Sequence, residues 1–129
     1  MAGKIKLGNR PQNFKKTVTV KMLDGSEGAI DVTFKYRTRT EYGAFIDAIM
    51  EAAGEKGRDA GDEAFSNEKL WAKVAANNAE QLLQVVEAWN LDEELTKENI
   101  EQLADELPGA VLAIMETYRV AILEGRLGN

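Results

Sequence analysis

The chain has 129 residues, enough for one domain and too few for two ordinary ones, and its 44% apolar content lies above that of disordered chains. It holds no cysteine and no histidine, which excludes disulfides, thiol nucleophiles, thiolate zinc sites and the commonest general base. The net charge of −6 conceals a division: nine Lys and Arg against three Asp and Glu from Met1 to Arg39, a net of +6, then seven against nineteen from Thr40 onward, a net of −12.

In the first residues Lys4 and Lys6 alternate with Ile5 and Leu7 before polar Asn9 and Arg10. This lacks the continuous apolar core of a signal peptide, and no later stretch approaches the roughly 20 apolar residues of a membrane span. The chain therefore reads as intracellular. The same short alternation makes Lys4 to Leu7 a candidate strand.

From Thr17 to Leu23 and again from Ala29 to Tyr36, apolar residues fall at every second position, the signature of strands with one buried and one wet face. Between them, Gly25 and Gly28 can supply the positive φ that a hairpin loop requires. Two strands alone are marginal in water, so the hairpin needs helices, a third strand or another chain against it.

Helices follow. Thr38 with Glu41 three residues later matches a capping box, and Tyr42, Phe45, Ile46, Ile49, Met50 and Ala53 then share a helical face. That helix is expected to end near Gly54, where glycines interleaved with charges predict a mobile loop; its carboxylates do not have the spacing of a calcium loop. Ser66 is the expected N-cap of a second helix reaching about Asn90. Trp71 and Trp89, eighteen residues apart, then share a face with Val74, Leu82, Val85 and Val86, and both indoles are predicted to be largely buried. Asn78 falls within that stripe, as a locally bonded amide or as a polar anchor for a partner. After the charged break at Asp92-Glu93-Glu94, Thr96 caps a short helix carrying Ile100, Leu103, Ala104 and Leu107. Pro108 then opens the last helix.

On that helix Val111, Ile114, Met115, Tyr118 and Ile122 form a stripe, while Leu112, Val120 and Leu123 lie off it. The surplus apolar surface is either sandwiched within the domain or offered to a partner. The reading is an α+β fold in a single domain over 1–129. It consists of an N-terminal arm (1–13), a β-hairpin (14–37), a helix (38–54), a mobile glycine-rich loop (55–65), a helical part (66–124) and a tail (125–129). The hairpin, or a small antiparallel sheet built on it, packs on about four C-terminal helices.

Catalysis has little to stand on. Ser26 sits in a turn and Ser66 at a cap, no histidine can activate either, and no glycine-rich phosphate loop is present, so no enzymatic activity, catalytic residue, metal or cofactor is expected. A nucleic-acid face could be drawn from Lys15, Lys16, Lys21, Lys35, Arg37 and Arg39, with Phe14 or Tyr36 to stack. Tyr36, however, is in phase with the buried face, and the acidic helices would repel a phosphate backbone within about 8 Å, the physiological Debye length. Charge complementarity, within the fold or between copies, is the better use of the division, and self-association is expected.

Several segments together resemble the tail assembly chaperones of long-tailed bacteriophages and their prophages. They are Phe34 to Tyr42 at the strand-to-helix junction, Leu82-Leu83-Gln84-Val85-Val86-Glu87-Ala88-Trp89, Thr96 to Leu107, and Pro108-Gly109-Ala110 leading to Ile114-Met115-Glu116-Thr117-Tyr118. The likeness extends from about Thr17 to Glu124 and rests on order and spacing. It implies a protein of the host bacterial cytoplasm that binds the tape measure protein while the tail tube assembles and is absent from the mature virion. A frameshifted longer form, where one exists, recruits the tail tube protein. The expected partner-binding residues are Leu112, Val120, Leu123 and Leu127. The alternative is a small intracellular adaptor or regulator of phage or bacterial origin, and behind it a basic-hairpin nucleic-acid binder.

Overall fold

The alternation in the basic segment becomes a hairpin with one apolar face. The computed structural model describes residues 3–59 and 66–128. Strands β1 (Asn13–Lys21) and β2 (Glu27–Lys35) pair antiparallel, from Asn13 opposite Lys35 to Lys21 opposite Glu27. Phe14, Val18, Val20, Ile30, Val32 and Phe34 are buried on the inner face. Of the two turn glycines, only Gly25 takes a positive φ, 88°. Gly28 lies on β2 without a positive φ, and a Cβ there would stand 2.9 Å from the sulfur of the exposed, flexible Met22 side chain, which would have to shift. Asp24 closes the loop by accepting hydrogen bonds from the Ser26 amide and hydroxyl (2.9 and 2.6 Å), which hold its carboxyl below the usual range, the hydroxyl first.

The third strand is not the one expected. Residues 4–7 form no strand, and Ile5 and Leu7 are exposed. Instead β3 (Val86–Trp89) pairs antiparallel with β2, giving the order β1-β2-β3. Helix α2 (Asn67–Val85) therefore stops five residues short of Asn90 and passes directly into β3. Leu82, Val85, Val86 and Trp89 fit a helical period, but β2 has an edge of unpaired backbone groups that a strand satisfies and a helix cannot. The β-branched pair Val85-Val86 also suits extended backbone. Register shifts between Thr33 and Phe34, so Glu87 is the extra residue of a bulge. Beyond β3, Asn90 exchanges hydrogen bonds with the backbone of Asp31 (2.9 and 3.1 Å).

Helix α1 (Arg39–Asp59) begins at the expected capping box. The Glu41 carboxylate accepts from the Thr38 amide (2.9 Å), and the Thr38 hydroxyl accepts from the Glu41 amide (3.2 Å). The helix passes Gly54 and continues to Asp59, so residues 55–59 of the predicted loop are helical; residues 60–65 lie outside the described residues. Ser66 caps α2, and Thr96 caps α3 (Lys97–Glu106) through the Asn99 amide (3.1 Å). Pro108 stands at the start of α4 (Pro108–Glu124).

Helix α4 lies across β1, α3 packs on α2 and α4, and α2 also meets β2. Ile100, Ile114, Leu82, Val85 and Val86 are fully buried where these layers meet. At the centre is Tyr118, ringed by Phe14 (6.0 Å between centroids), Phe34 (5.3 Å) and Tyr42 (5.9 Å). Burial raises its phenol above the ordinary tyrosine value. The buried hydroxyl is fully employed: it donates to the Lys35 carbonyl (2.9 Å) and accepts from Arg37 Nη1 (3.1 Å).

Candidate partner-binding surface

Three basic residues at the end of the hairpin and just after it face the ends of helices. The last turns of α2 and α4 contain no basic residue of their own, so their terminal carbonyls carry uncompensated negative partial charge. Lys35 Nζ donates to the Leu83 carbonyl (3.1 Å), Arg37 Nη1 to that of Gln84 (2.9 Å), and Arg39 to that of Leu123. Lys16 donates to the Gly128 carbonyl. Arg37 also lies 4.6 Å above the Phe45 ring, and Arg10 lies over Tyr36 while pairing with Glu41. The Thr38 amide, then the Arg10 guanidinium, holds the Glu41 carboxyl below its usual range. Much of the positive segment is thus complemented inside the fold. Of the six basic residues that could form a nucleic-acid face, four are engaged with carbonyl oxygens.

The four expected partner-binding residues are placed differently from one another. Leu112, at 69% exposure, stands open on α4. Val120 is half-buried and borders a groove between α4 and β1 with Lys16, Thr17 and Glu124. Leu123 and Leu127 are half-buried and pack against the core. Leu112, Glu116, Arg119 and Leu123 succeed one another at helical spacing, so the Glu116–Arg119 ion pair (2.9 Å from Nε) lies between the two leucines. The Arg119 guanidinium lowers the Glu116 carboxyl. The four residues therefore do not form one continuous apolar stripe.

Other apolar residues are open where the sequence reading placed core. Trp71 is 61% exposed, not buried, and the buried residues of α2 begin only at Ala75 and run through Ala79, Leu82 and Val85. Leu70 beside it and Met50 on α1 are exposed as well. Trp89, moved from helix to strand, is half-buried and donates its indole N–H to the Glu93 carbonyl (2.8 Å). With Leu91, Leu103 and Leu107 it lines a shallow groove beside α3, rimmed by Glu93 and Glu106. Helical spacing gave no signal for this groove, since one of its walls is a strand and a bend. Asn78 is half-buried on α2.

Among the described residues, no group of three or more Asp and Glu side chains is placed to hold a metal ion, and no helix is long and apolar enough to cross a membrane. The arrangement offers surfaces rather than a reaction centre: a sheet backed by helices, an acidic exterior, and apolar residues left open on α1, α2 and α4. Over residues 1–129 the chain matches the family described as phage tail assembly chaperone, and it belongs to that family. No curated protein and no solved structure shows significant similarity to it.

Proposed function

We propose that this tail assembly chaperone binds the tape measure protein in the host bacterial cytoplasm, keeps it soluble while the tail tube is built, and leaves before the virion is complete. Family membership over the whole chain carries the reading. A tape measure protein is long and helical, and its apolar stripes lack their final partners during assembly; many small subunits covering those stripes prevent their aggregation. Open apolar residues on a chain of net charge −6 suit the task, since each can cover an apolar stripe while the carboxylates keep the complex in water. No enzymatic step is required. Self-association of the chain belongs to the same reading, because neighbouring subunits reinforce one another along an extended partner. The tail tube protein enters through a longer form of the chain where one is made.

The direct test is a pull-down of the tape measure protein from lysate of the phage or lysogen, with the native chain and with Leu112→Glu as bait. Leu112 is open, so its replacement leaves the fold intact, verifiable by circular dichroism, and should reduce capture. Capture undiminished by Leu112→Glu would move the interface elsewhere, to Trp71 and Met50. No capture by the native chain would end the reading. Mass spectrometry of purified virions should find the tape measure protein and not this chain.

A further inference from the structure

Two features of the described residues leave apolar surface uncovered within one copy of the chain. The first is the arm ahead of β1. Arg10 fixes its base, through Glu41 and the Tyr36 ring, and Gly8 turns the chain with φ 82°, a value L side chains rarely adopt. Leu7 stands in the turn beside Gly8 and Ile5 ahead of it; they are 93% and 90% exposed, and Lys4 and Lys6 alternate with them. The second is the groove beside α3. Trp89, Leu91, Leu103 and Leu107 form its apolar floor, and Glu93 and Glu106 stand on its rim. From Asp92 to Glu106 the chain carries seven carboxylates and a single lysine, Lys97, which is 3.6 Å from Glu80.

The two fit each other in spacing and in charge. Once the arm extends on docking, residues 5 and 7 point to the same side about 7 Å apart. Leu103 and Leu107 lie one helical turn apart, about 6 Å along α3. Two apolar side chains of the arm can therefore sit over two leucines of the groove, while the long stems of Lys4 and Lys6 carry their charges over the edge to the rim carboxylates. We infer that the basic arm of one copy docks in the acidic-rimmed α3 groove of a second copy. A self-pairing of β1 edges is a poorer route, because antiparallel pairing about Val18 would set Lys15 opposite Lys21. The inference deepens the self-association in the proposed function and is independent of tape measure binding.

The experiment compares the full-length native chain with an arm variant, Ile5→Asp with Leu7→Asp, and a groove variant, Glu93→Lys with Glu106→Lys. All four positions are exposed, so each variant should fold, as circular dichroism would verify. Sedimentation at tens of micromolar should show association of the native chain that weakens as salt rises, and a loss of about tenfold or more in either variant. An equimolar mixture of the two variants should regain association, because each supplies what the other lacks. Since the chain has no cysteine, Leu7→Cys in one copy and Leu103→Cys in another should form a disulfide between copies and no other. Association of the arm variant equal to native would overturn the arm–groove contact and leave self-association standing. A native chain that is monomeric in low salt would overturn both. A disulfide formed only within one chain, when both cysteines are placed together, would show that the arm folds back on its own groove and would overturn the exchange.

Discussion

Tyr118 and Trp71 are both large aromatic residues on helices, each set in a run of apolar side chains at helical spacing, yet they meet opposite environments. Tyr118 is fully buried, packed among three other rings, and both hydrogen-bonding roles of its hydroxyl are used. Trp71 stands mostly in solvent, as do Leu70 next to it and Met50 on α1. The difference is one of position relative to the sheet. The first turns of α1 pack on α4, with Tyr42 against Tyr118, and the later turns of α2 bury Ala75, Ala79, Leu82 and Val85 against α3, α4 and β2, whereas Met50 and the start of α2 are exposed. Apolar periodicity shows which face of a helix is apolar, but not how far along the helix a partner exists.

The contrast is open to direct attack, and the largest effect should come at its centre. Tyr118→Ala removes the ring and strands a carbonyl and a guanidinium, at a cost of about 3–5 kcal/mol, a large part of a domain's total stability. Urea unfolding should show a collapsed midpoint or no folded baseline. Tyr118→Phe keeps the packing and loses only the hydroxyl, and should cost about 1–3 kcal/mol. Arg37→Ala belongs in the same range, since it removes a charged donor from the end of α2, from the Tyr118 hydroxyl and from the Phe45 ring. Thr38→Ala breaks half of the capping box, for about 1 kcal/mol. Trp71→Ala should change stability by no more than about 0.5 kcal/mol. A Trp71 variant as damaging as Tyr118→Phe would show that the tryptophan is part of the folded core.

Titration sharpens the same comparison. Asp24, Glu41 and Glu116 have carboxyls lowered by their partners, so each adds stability above the ordinary carboxylate range, near pH 4, which is lost as pH falls through the lowered values. All three are at the surface, so the acid loss should be gradual. At the alkaline end the sign reverses. The Tyr118 phenol is raised by burial, so its contribution is complete below about pH 10 and is lost as pH climbs past that value, when the unfolded chain releases a proton that the folded one retains. Burial raises the Tyr42 phenol as well, so Tyr118→Phe should make the alkaline limb of a stability profile shallower without abolishing it, and leave the acid limb unchanged.

Much of this architecture was legible from short-range patterns. The hairpin's alternation, the Thr38–Glu41 box, the Ser66 and Thr96 caps and the opening proline of α4 are all local signals, and each lies where its chemistry requires. Strand β3 was hidden because Val85, Val86 and Trp89 satisfy a helical period equally well; only the unpaired edge of β2, some fifty residues earlier in the chain, decides between the two. The cations at the ends of α2 and α4 were hidden for a similar reason. Lys35, Arg37 and Arg39 read as a basic cluster in sequence, and only the tertiary fold brings each one to a helix terminus. The charge division is therefore partly a folding device, and part of its remainder lies in the arm and around α3. Among the expected partner-binding residues, surplus apolar surface on α4 was legible from Leu112, whereas the packing of Leu123 and Leu127 depends on where the C-terminal residues cross the sheet.

The chaperone reading is tested most directly by solubility. The tape measure protein of the same phage is expressed alone and together with this chain, and its share in the supernatant after centrifugation is measured. The account predicts that the tape measure protein sediments when alone, and that in the presence of the chain it stays in the supernatant and co-purifies with it. A tape measure protein that sediments equally with and without the chain would contradict it.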